Sequence, residues 1–72
     1  MIFSKAKMIA RVTAEGRAYM INEDVERLMD LCDGQPVSPA CWNRVVNDYP
    51  VYSCLGKDGK YHDVNEHDCI EE

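Results

Sequence analysis

Seventy-two residues with a formal charge of −5, 46% hydrophobic and 29% charged, make one small folded domain spanning 1–72. Such a chain buries only about 60% of the surface it exposes when unfolded, which supports a binding face better than a strained, desolvated catalytic pocket. No window approaches the roughly 20 apolar residues of a membrane span, and Lys5 and Lys7 interrupt any leader-like start, so a cytoplasmic protein with reduced thiols is expected.

In the first segment, Ala6, Met8, Ala10 and Val12 share one parity while Lys5, Lys7, Arg11 and Thr13 share the other. That period of two predicts a strand, with a turn at Ala14–Arg17 and an extended return over Ala18–Ile21. A helix capped by Ser4 and stopped by Gly16 is the competing reading.

Helical spacing is plainer after Asn22. Val25, Leu28, Met29 and Cys32 form one apolar stripe, Glu23, Asp24 and Glu26 suit the positive end of a helix dipole, and Asp33-Gly34 ends the run. Ser38-Pro39 then predicts a second helix, reaching Asp48, with Cys41, Trp42, Val45 and Val46 inward. Strands over Val51–Leu55 and Tyr61–Val64, joined at Asp58-Gly59, predict a final hairpin with Lys57 and Lys60 at its tip. Residues 65–72 are polar and acidic apart from Cys69 and Ile70 and are expected as a loose tail. The expected fold is α+β in the order ββααββ, two hairpins packed on a helix pair.

Charge is unevenly spread along the chain. Residues 1–21 carry Lys5, Lys7, Arg11 and Arg17 against Glu15, a balance of +3. Residues 22–36 stand at −4, residues 37–60 at +1 and residues 61–72 at −5.

Candidate chemistry is thin. Cys54, His62, His67 and Cys69 are the best available zinc set, but no Cys-x-x-Cys knuckle exists and the expectation is that no metal or other cofactor is bound. Cys41 near a helix start is the one thiol with a route to activation, and its place beside Trp42 makes it core. With no glycine-rich phosphate loop and no spacing that specifies an active site, the chain is expected not to be an enzyme.

The acidic face of the Asn22–Asp33 helix is the sharper feature. Glu23, Glu26, Asp30 and Asp33, with Tyr19 and Tyr61, are the candidate partner-binding residues. A face of this kind can steer a basic protein or, as a DNA mimic, fill a basic groove that otherwise holds nucleic acid. The expected function is thus an inhibitor or adaptor acting on a larger protein, of the kind phages and mobile elements use, without a membrane partner. The alternative is a winged-helix-like regulator of transcription or recombination, its recognition helix at Pro39–Asp48 presenting Asn43 and Arg44 and its wing carrying Lys57 and Lys60. The net acidity argues against direct nucleic-acid binding.

Overall fold

Ser4 decides the first long element. Its backbone is extended and its side chain accepts a hydrogen bond from the Lys7 amide, capping a helix, α1, over Lys5–Ala14. At the other end Gly16 takes φ 73°, its amide bonds Thr13 O, and the Arg17 amide bonds Val12 O. These two bonds satisfy carbonyls the last turn leaves open, a left-handed glycine cap that a strand could not use. The expected first hairpin is therefore corrected to a helix. Alanines at every fourth position favour helix, and only Met8 and Val12, one turn apart, need to face inward. Ala18–Met20, expected as the return strand, is a short 3-10 turn.

The computed structural model describes residues 1–38, 44–46 and 49–71. Chain order begins with β1 (Ile2–Phe3), then α1, then α2 (Glu23–Cys32), whose bounds match the sequence expectation. Asn22 caps α2 by accepting from the Val25 amide at 2.9 Å. Next come β2 (Val37–Ser38), β3 (Arg44–Val46), β4 (Tyr49–Leu55), β5 (Tyr61–Asn65), a 3-10 turn at Glu66–Asp68, and β6 (Cys69–Ile70). The α+β class holds and the ββααββ order does not.

The expected second helix is also corrected. Arg44–Val46 pairs antiparallel with Val51, Pro50 and Tyr49, and Ser38 pairs with Ser53 as part of β2. The β-branched pair Val45-Val46 favours a strand, and proline at the first helical position is permissive rather than compelling. Residues 39–43, including Cys41, Trp42 and Asn43, lie outside the described residues, as do Asn47 and Asp48. Among the described residues of the expected recognition helix, Arg44–Val46 form a strand.

β4 is the organising strand. One edge holds β5 in unbroken register from Leu55↔Tyr61 to Val51↔Asn65. The other edge holds β2 opposite Ser53 and Cys54, and then β3 opposite residues 49–51. The hairpin between β4 and β5 turns through Lys57-Asp58-Gly59, bracketed by Gly56 N to Lys60 O at 2.8 Å, with Gly59 at φ 80°. It is one residue longer than the expected Asp58-Gly59 turn, matching the three-residue hairpin loop that ends in a left-handed glycine.

The core lies between this sheet and α2. Tyr52, Cys54, Val64 and Val37 on the inner sheet face meet Met29 and Cys32 of α2, with Phe3 and Cys69 from the chain ends. Ile2 and Phe3 of β1 pair with Ile70 and Cys69 of β6, and Ile2 also bridges to Pro36, so the first strand lies between two later segments. Residues 65–70, expected as a loose tail, are thus tied into the fold. No helix among the described residues is long and apolar enough to cross a membrane.

Candidate functional site

At about 100° per residue, Glu23, Glu26, Asp30 and Asp33 fall within an arc of about 80° on α2. This acidic rail lies on the exposed side of the helix, away from buried Met29 and Cys32. The two ends of the rail differ. At the C-terminal end, Lys5 places its ammonium 2.6 Å from Asp30 Oδ1, and its amide donates to Asp33 Oδ1 at 3.0 Å. The Asp30 hydrogen bond, reinforced by Asp30, Glu26 and Asp33 charge, raises the Lys5 pKa against the opposing effect of burial. Toward the N-terminal end Glu23 and Glu26 are exposed, and Asp24 makes a long 3.5 Å contact to Arg27.

Tyr19 is 81% exposed in the 3-10 turn just before α2, with Met20 also exposed beside it. Tyr61 is 69% exposed but starts β5, next to the hairpin whose Lys57 amide bonds Leu31 O at the far end of α2. Tyr19 precedes the rail in the chain, in a 3-10 turn that packs on α1. The structure places Tyr61 toward the other end of a ten-residue helix about 15 Å long.

A second set of contacts, centred on Arg11, had no place in the sequence reading. Arg11 Nε donates to Asp68 Oδ1 at 2.6 Å and Nη2 to Asp68 Oδ2 at 3.0 Å, while Nη1 reaches Glu15 at 3.2 Å. Asp68 is the one buried charged residue among those described, at 2% exposure. Lys7 Nζ donates to Cys69 O at 2.7 Å, and Arg17 lies 3.5 Å from Glu15. The basic opening segment is thus docked onto the acidic ones, and its cations are engaged within the fold. The available signal was the sign reversal between residues 1–21 and both acidic stretches.

The proposed zinc ligands do not converge. Cys54 Sγ lies 3.9 Å from Cys32 O, Cys69 Sγ bonds Asn65 O at 3.5 Å, and His62 Nε2 is 3.1 Å from Asp58. His67 is exposed in the Glu66–Asp68 turn. Among the described residues no three Cys, His, Asp or Glu side chains gather as a metal site. Burial pushes the Cys54 thiol up to about 12 and Cys69 to about 11, the opposite of an activated nucleophile. The Lys60 amide, followed by His62, holds the Asp58 carboxyl below its ordinary range.

Comparison with known families, curated proteins and solved structures returns no match to this chain.

Proposed function

We propose that this chain is a non-enzymatic binding domain, an inhibitor or adaptor whose α2 rail engages a basic surface on a larger protein. The observation that carries this reading is the exposed Glu23–Glu26 end of the rail, preceded in the chain by the exposed Tyr19. Carboxylates at this spacing attract a basic groove of the type that grips phosphates, and an exposed tyrosine adds a contact of the sort enriched in binding hot spots. The pairing of Lys5 with Asp30 and of Arg11 with Asp68 supports a protein partner over nucleic acid, because it neutralises two of the first segment's four cations.

The test is a paired capture from host lysate. The wild-type chain and a Lys57→Glu/Lys60→Glu control should retain the same protein, and Glu23→Lys/Glu26→Lys should lose it. Retention by all three baits would remove the rail from the account.

A further inference from the structure

We propose that a cleft between α1, α2 and β5 binds a small neutral aromatic molecule about the size of a single ring. The cleft has a volume of about 150 Å³ and is lined by Phe3, Met8, Leu28 and Val64, with Arg11, Asp63, Asn65 and Asp68 contributing its polar side. It draws on the side of α2 opposite Glu23 and Glu26, so it stands whether or not the rail holds a partner.

Size sets the first limit on the ligand. A cleft of about 150 Å³ is the scale that accepts a single ring such as benzene, well short of a drug-sized site, and its apolar wall is made by Phe3, Met8, Leu28 and Val64. Charge sets the second. Arg11 and Asp68 meet through two parallel hydrogen bonds, so each neutralises the other, and among the described residues no buried side-chain nitrogen or oxygen lacks a partner. An anionic ligand would lose its hydration there, gain no unbalanced cation from this pair and meet the Asp63 carboxylate on the same wall. The third limit is shape. The edges of the Arg11 guanidinium are engaged by Asp68 and Glu15, so what it can offer a ligand is its flat face, which stacks on an aromatic ring. Met8 adds a thioether, which also packs well against rings.

The experiment is a titration of the full chain, labelled at Met, Leu and Val methyls, with toluene and in parallel with benzoate. Toluene should give saturable shifts at Met8, Leu28 and Val64 and none at exposed Leu55, with benzoate at least tenfold weaker. Leu28→Phe, which fills the cleft, should abolish saturation at Met8 and Val64, whereas the volume-conserving Leu28→Met should keep it. Failure of wild type to saturate at the solubility limit, equal shifts at Leu55, equal binding of benzoate, or persistent binding in Leu28→Phe would each overturn the proposal.

Discussion

Arg11 and Asp68, 57 residues apart, meet through two hydrogen bonds of 2.6 and 3.0 Å and join α1 to the segment leading into β6. Asp68 is almost wholly buried, whereas Arg11 keeps partial access to water and a second partner in Glu15. The two are therefore not equivalent under mutation. Arg11→Met strands a buried carboxylate and should cost about 3–5 kcal/mol, a large share of the stability of so small a domain. Asp68→Leu should cost less, because Arg11 can turn toward solvent and Glu15. The double change should recover most of the loss, since an apolar pair of similar volume can replace a buried ion pair. Urea unfolding of the four proteins checks the order, and a double variant no better than Arg11→Met would contradict it.

Helix α1 rests on its caps. Ser4→Ala removes the side-chain acceptor for the Lys7 amide and should lower stability by about 1 kcal/mol, and Asn22→Ala should do the same at α2. Gly16→Ala forces a Cβ into a left-handed conformation and should also destabilise by about 1 kcal/mol. Thermal melts followed by circular dichroism measure each. A neutral Ser4→Ala would favour the strand reading of this segment.

Thiol chemistry should divide by folding state. All four cysteines are expected to be reduced, and Cys32, Cys54 and Cys69 are buried as free thiols. Titration with an aromatic disulfide at pH 8 should therefore count four thiols in denaturant and no more than one quickly in the native protein. Cys54 and Cys69 also set an alkaline limit. Their folded pKa values of about 12 and about 11 lie above the ordinary 9.0, so the unfolded chain releases these protons first as pH rises. The stability they contribute is complete below pH 9.0 and is lost as pH rises from there through the folded values. Cys54→Ala/Cys69→Ala should unfold with a shallower decline over that range, and an unchanged slope would contradict the assignment.

Reversing charge along α2 should have different effects at its two ends. Glu23→Lys/Glu26→Lys should keep the fold, because both side chains are exposed and each loses only its interaction with the positive end of the helix dipole, about 0.3–1 kcal/mol. Asp30→Lys instead sets a cation against Lys5, which now lies 2.6 Å from Asp30, and should lower the melting temperature of the domain. Asp30→Lys melting like wild type would mean that the Lys5 contact does not help hold α1 to α2.

What could be read from the sequence followed the density of local signals. Around α2 the cap at Asn22, the stripe and Asp33-Gly34 agree, and the helix falls where they place it. The β4–β5 hairpin is equally legible, because alternation and a glycine turn coincide. In α1 the same alanines and lysines satisfy both periods, and only the caps, Ser4 and Gly16, separate helix from strand. β3 was missed because Ser38-Pro39 imitates a helix start, while its pairing with β4 is a tertiary fact. The rail residues were legible as exposed acids. That Asp30 and Asp33 receive Lys5, and that Asp68 is buried against Arg11, depends on contacts across 25 to 57 residues that no local pattern encodes.

The most direct test of the account is the association rate of the captured partner with wild type and with Glu23→Lys/Glu26→Lys across a salt series. Steering by an acidic rail predicts fast wild-type association at low salt that falls steeply as salt rises, and a reversed variant that is slow throughout. Association indifferent to both salt and charge reversal, with the fold intact, would contradict it.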